Sequence, residues 1–84
     1  MKLPRDLSAG HLVRTLGRFG YQVTRQTGSH MRLTTQQRGE HHVTIPRHDA
    51  LRVGTLAGIL ADVAEHLGLS RDELLEELFG KGPS

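Results

Sequence analysis

Apolar side chains recur at every second position between residues 21 and 46, and at every third or fourth position on either side of that stretch. Tyr21, Val23 and Arg25 alternate with Gln22, Thr24 and Gln26. Met31 and Leu33 alternate with His30, Arg32 and Thr34, and Val43 and Ile45 with His42 and Thr44. A period of two with one apolar and one polar set marks strands of a sheet covered on one side only. The dipeptide Thr27-Gly28 reads as a turn, and residues 36–40, with Gly39, as a polar loop or hairpin turn. Connections this short favour an antiparallel meander. Turning Tyr21, Val23, Met31, Leu33, Val43 and Ile45 inward leaves His30, Arg32, His42 and Thr44 on the open face. Pro46 ends the last strand because it has no N–H to give the ladder.

The flanking segments carry helix signals. Residues 8–19 have Ser8 as an N-cap, Leu7 as half of a hydrophobic staple, and an apolar stripe of Leu12, Val13, Leu16 and Phe19. Gly17 and Gly20 are stop signals. A loop over 47–52 precedes a second helix from about Thr55, a candidate cap, to Leu67. Leu56, Ile59, Leu60, Val63 and Leu67 form its apolar face, and Gly68 stops it. Ser70-Arg71-Asp72-Glu73 spells a capping box for a third helix that runs to about Phe79. The expected fold is α+β, in the order α-β-β-β-α-α. A three-stranded antiparallel sheet carries its helices on one face, the plan of the double-stranded-RNA-binding domain. With 84 residues the chain suits one domain over 1–84, with its core at about 7–79 and a frayed tail at 80–84.

The composition narrows the chemistry. Without cysteine there is no disulfide scaffold and no thiolate metal site. No apolar run reaches the ~18–20 residues of a membrane span, and the N-terminus lacks a signal-peptide stretch, so a cytoplasmic protein is expected. The net charge of +2 conceals an asymmetry. Residues 1–52 hold nine Lys and Arg against three Asp and Glu, a balance of +6; residues 53–84 hold two against six, a balance of −4. Nine of the eleven cations are Arg, which grips phosphate bidentately, so the basic part suits a polyanion such as nucleic acid. A solvated surface with chance clustering gives the same count.

Gly28-Ser29-His30 opens the second strand beside Arg25 and Arg32. Histidine is the side chain best suited to moving protons near neutral pH. In RNA cleavage a base takes the proton of the attacking 2′-hydroxyl, an acid protonates the leaving oxygen, and cations hold the charged phosphorane. Histidine with arginine supplies those parts without a metal; a surface histidine of a basic protein fits the same residues. His41 and His42 face opposite sides of a strand, and no carboxylate falls at a familiar metal spacing, so no metal site is expected. His48 follows Pro46 and either reaches the His30 end of the sheet or meets solvent. His11 and His66 sit on helix faces and read as structural or exposed. The amides of Gly54-Thr55-Leu56 suit either a phosphate or a plain helix start. The acidic third helix reads as a solvated face or as a patch for a basic partner.

Several motifs in register carry a resemblance. Leu16-Gly17-Arg18-Phe19-Gly20-Tyr21 is similar to a helix ending in glycine and an aromatic. Arg25-Gln26-Thr27-Gly28-Ser29-His30 is similar to an arginine-x-x-glycine-serine-histidine signature. Val43-Thr44-Ile45-Pro46-Arg47-His48 resembles a valine/isoleucine-proline-x-histidine strand end. Gly54-Thr55-Leu56, followed by Ile59-Leu60, resembles a glycine-threonine-leucine helix start, and Gly68-Leu69-Ser70 with the acids after it a C-terminal helix. Together, over about residues 7–79, the chain resembles the HicA family of toxins from bacterial toxin–antitoxin pairs. Where many members carry a basic residue after glycine-threonine-leucine, this chain has Ala57.

The resemblance implies a metal-independent endoribonuclease toxin acting on messenger RNA, needing no cofactor, with an antitoxin resembling HicB that covers its site. It puts the essential histidine at His30. His48 is the second acid/base candidate, and Arg25, Ser29, Arg32, Arg47 and Thr55 are the expected RNA contacts. Homo-oligomers are expected only through the antitoxin complex. Two rivals remain at this point: an RNA-binding module without catalysis, and a protein-interaction module working through its acidic helix.

Overall fold

Of the 84 residues, the computed structural model describes 3–80. The first helix, α1, is Ala9–Leu16, followed by a 3-10 turn over Gly17–Phe19. Ser8 caps it as expected: its backbone is extended and its hydroxyl accepts the His11 N–H at 3.0 Å. The chain reverses at Gly20, whose φ of 80° lies in the left-handed region. A Cβ at Gly20 would also stand 2.9 Å from the Thr35 hydroxyl and 3.0 Å from Gln37 Nε2, so both conformation and space call for glycine.

Three strands follow: β1 (Gln22–Gln26), β2 (His30–Thr35) and β3 (His41–Pro46). They pair antiparallel in the order β1-β2-β3, the meander expected from the short connections. Helix α2 (Val53–Leu67) and helix α3 (Arg71–Leu75), continued by a π turn over Glu76–Gly80, complete the α-β-β-β-α-α order. The inner face of the sheet supplies Leu33, Val43 and Ile45 to a core shared with Leu12 and Leu16 of α1, Leu56, Leu60 and Val63 of α2, and Leu74 and Leu75 of α3. Burial of this kind, at roughly 25 cal/mol per Å² of apolar surface, is the main term holding the two layers together. No described helix is long and apolar enough to cross a membrane.

The structure departs from the sequence reading in several places. Helix α2 starts at Val53. Its N-cap is Arg52, whose extended backbone suits the position though no side chain bonds there, so Thr55 falls inside the first turn and is not the cap. Helix α3 has the capping box spelled by Ser70 and Glu73, and helical winding reaches Gly80, about the expected end, but the α pitch gives way to a π turn after Leu75. The Arg18 guanidinium donates to the Glu77 carbonyl at 2.8 Å, satisfying one of the carbonyls that a helix end leaves open. Val23 stands opposite Leu33 on the inner face, yet it is 38% exposed, because β1 is an edge strand that the helices do not fully cover. The expected frayed tail lies, apart from Gly80, outside the described residues.

Behind the sheet a polar clasp joins three elements. Tyr21, only 2% exposed, donates its hydroxyl to His41 Nδ1 at 2.6 Å, and His41 Nε2 donates to Asp62 of α2 at 3.1 Å. The His41 ring stacks on His66 of α2, centroids 4.3 Å apart, while His66 Nε2 donates to the Gln37 carbonyl at 2.8 Å. Burial, with the Asp62 charge adding to it, pushes the Tyr21 hydroxyl up to about 12, so it stays a donor.

Candidate functional site

The β1–β2 turn positions the histidine. Thr27 directs this turn: its backbone N–H donates to the His30 carbonyl at 2.9 Å, and its hydroxyl accepts the His30 N–H at 3.0 Å. Small hydroxyl side chains commonly stabilise turns in this way. His30 enters β2 on the open face, and its Nδ1 lies 2.8 Å from the Ser29 hydroxyl. That bond sets the plane of the ring and leaves Nε2 turned away from the one protein partner of the imidazole. Both residues are exposed.

Two arginines share that face for a reason that alternation alone does not contain. Strict alternation puts Arg25 with Tyr21 and Val23 on the inner side. The β1–β2 register instead runs Val23 opposite Leu33, then Arg25 opposite Arg32, with Thr24 as the extra residue of a β-bulge. The bulge turns both Thr24 and Arg25 outward: the Thr24 hydroxyl meets that of Thr34, an open-face residue, at 2.8 Å. Arg25 therefore faces Arg32 directly. Neither has an acidic partner among the described residues, and like charges placed opposite each other destabilise a strand pair. An anion lying across such a pair would offset that cost.

Arg47 continues the cluster past the end of β3. Its backbone N–H donates to the Ser29 carbonyl at 2.9 Å, and its guanidinium reaches the Thr27 carbonyl at 3.3 Å. Arg47 is thus fastened to the turn that carries Ser29 and His30. His48 goes elsewhere. Its backbone carbonyl accepts the Ala9 N–H at 3.0 Å, and with Arg47, Ser8, Met31 and Asp49 it lines a shallow groove against the start of α1, a groove to which His30 does not contribute. Thr55, exposed in the first turn of α2, shares neither a hydrogen bond nor a groove with His30. The fold therefore places Arg25, His30 and Arg32 on one face of the sheet and ties Arg47 to the turn that carries Ser29, while His48 shares a groove with Arg47.

The adjacent histidines 41 and 42 point to opposite sides, as strand parity requires. His41 joins the clasp behind the sheet. On the open face, His42 accepts from or donates to the Thr34 hydroxyl through Nδ1 at 2.7 Å and meets Glu40 through Nε2 at 2.8 Å. Among the described residues no three His, Asp or Glu side chains are grouped to hold a metal ion. The Glu40–His42–Thr34–Thr24 chain of hydrogen bonds escaped the sequence reading, although the parity of Thr34 and His42 was a usable signal.

Comparison with curated proteins and with solved structures gives no match. A family model does match, over residues 10–68: that of the HicA toxin of bacterial toxin–antitoxin systems. The matched span runs from α1 to the end of α2 and includes every residue of the basic cluster. The chain belongs to the HicA toxin family.

Proposed function

We propose, from that membership and the open-face geometry, that the chain is a metal-independent endoribonuclease that cleaves messenger RNA with His30 as acid/base. The observation that carries the reading is the His30 ring held at Nδ1 by Ser29, on the face where Arg25 stands opposite Arg32 with no acidic partner among the described residues. In this reaction the RNA 2′-hydroxyl attacks the adjacent phosphorus. Nε2 of His30 exchanges the proton that leaves the 2′-oxygen or enters the 5′-oxygen, and the P–O5′ bond breaks. The products are a 2′,3′-cyclic phosphate and a 5′-hydroxyl. Arg25, Arg32 and Arg47 offset the charge of the phosphorane, an effect strongest where donors are preset for it. Ser29 acts as a positioning residue. His48, beside Arg47 in the groove at the start of α1, stands as the second acid/base group, and Thr55 as a further RNA contact.

The plan of a three-stranded sheet with helices on one face supports a likeness to double-stranded-RNA-binding domains, while single-stranded messenger RNA is the substrate proposed. The proposed partner in the cell is an antitoxin that covers the open face, and the proposed site of action is the cytoplasm. Expression of the wild-type and His30→Ala chains, followed by mapping of cellular RNA ends, tests the reading. New 5′-hydroxyl ends and arrested growth are expected with the wild type alone. Equal cleavage by both removes His30 from the mechanism. Salt-sensitive RNA binding without any cleavage would replace the enzyme with a binding module.

A further inference from the structure

A second groove occupies the open face, at the end of β1 and β2 opposite His30. Gln22, Thr24 and Thr34 form its walls, and Gln36 and Gln37 of the β2–β3 turn its rim. Outward-facing positions on β2 run His30, Arg32, Thr34, so the groove begins about 13 Å along the strand from the histidine. Among the described residues no charged side chain lines it. The carboxamides of Gln22, Gln36 and Gln37 have no hydrogen-bond partner among the described residues. Its threonines, in contrast, are set in place. The Thr24 hydroxyl lies 2.8 Å from that of Thr34 and donates to the Arg32 carbonyl at 3.4 Å, and the Thr34 hydroxyl lies 2.7 Å from His42 Nδ1.

A neutral site of this kind is poorly suited to phosphate and well suited to a base edge. Each glutamine amide presents a donor beside an acceptor, the pattern of a nucleobase edge, and single-stranded RNA is read through such exposed edges. The charge complement of an RNA backbone lies on the same face, at Arg25 and Arg32. We propose that the Gln22–Gln36–Gln37 groove is a nucleobase subsite that selects which RNA sequence is presented to His30. The subsite rests on the ribonuclease reading and adds sequence selection to it.

The test uses the His30→Ala chain, so that RNA survives, and four short single-stranded homo-oligonucleotides of A, C, G and U. One base is expected to bind roughly tenfold more tightly than the weakest, in the range of one well-made bond to a base edge. The Gln22→Ala/Gln36→Ala/Gln37→Ala variant should bind all four within about twofold of one another while keeping affinity for the weakest. These side chains are exposed, so an unchanged amide NMR spectrum elsewhere is expected to report an intact fold. An equal response to all four bases before substitution, or a preference that survives it, overturns the subsite and leaves the ribonuclease reading standing. No binding of any oligonucleotide overturns both.

Discussion

Arg25 and Arg32 stand directly opposite each other across β1 and β2, both on the uncovered face of the sheet, and a one-residue bulge at Thr24 puts them there. Without the bulge, alternation would send Arg25 toward the core side. A fold that places two guanidinium groups in register, with no acid between them among the described residues, carries an electrostatic cost that a bound polyanion would offset.

The first prediction follows from that cost. Arg25→Gln and Arg32→Gln each leave folding stability unchanged within about 0.5 kcal/mol, with any change toward stabilisation. RNA affinity falls in both, and the slope of log affinity against log salt concentration drops by about 0.7 for each phosphate no longer neutralised. Binding titrations at several salt concentrations measure this; an unaltered slope would mean that these arginines meet no phosphate.

Ser29 acts on His30 through a single hydrogen bond of 2.8 Å. Ser29→Ala removes a bond worth about 0.5–1.5 kcal/mol and is expected to slow RNA cleavage by roughly three- to tenfold, with little change in melting temperature. Ser29→Thr, which keeps the hydroxyl, should recover most of the rate. Loss of stability without loss of rate would assign Ser29 to the turn alone.

Tyr21 predicts the alkaline limit of the fold. Its hydroxyl titrates near 10.0 when free and near 12 when folded, because burial and the Asp62 charge disfavour the phenolate. Below pH 10 the folded and unfolded chains both hold the proton, and the full stability is present. Between about pH 10 and 12 the unfolded chain releases it first, so stability falls by about 2–3 kcal/mol as pH rises. Tyr21 is the one tyrosine in the chain, so tyrosinate absorbance follows this group alone. Tyr21→Phe should cost about 1–2 kcal/mol at neutral pH, by leaving His41 Nδ1 without its donor, and should abolish the tyrosine-dependent alkaline fall.

Gly20 joins the first helix to the sheet through a left-handed turn and has the Thr35 hydroxyl close by. Thr35 is buried and donates to the Phe19 carbonyl at 2.6 Å, so it has little room to yield. Gly20→Ala is expected to destabilise by roughly 1–3 kcal/mol, which thermal unfolding would register as a lower melting temperature.

The legible part of the fold was local. Ser8 and the Ser70–Glu73 box announced two helix starts because capping is written in neighbouring residues, and both caps form. The apolar positions Leu33, Val43 and Ile45 marked the covered face of the sheet because side chains alternate along any strand. Arg52, in contrast, caps α2 by backbone conformation alone, which leaves no side-chain signature to read.

By itself the sequence determined the order of elements, which sheet face meets the core, the basic character of the strand region, and the placing of His30 on the open side. These depend on period, composition and short motifs, and each is set within a few residues of chain. Only the tertiary structure decided that Arg25 faces Arg32, that His41 is engaged by Tyr21 and Asp62 while His42 serves the open face, and that Arg47 is tied to the turn carrying Ser29. Such outcomes rest on the register between strands and on bonds between residues far apart in the chain, such as His41 and Asp62, 21 positions apart. A one-residue bulge is enough to change the face a side chain occupies, and a period of two cannot record it.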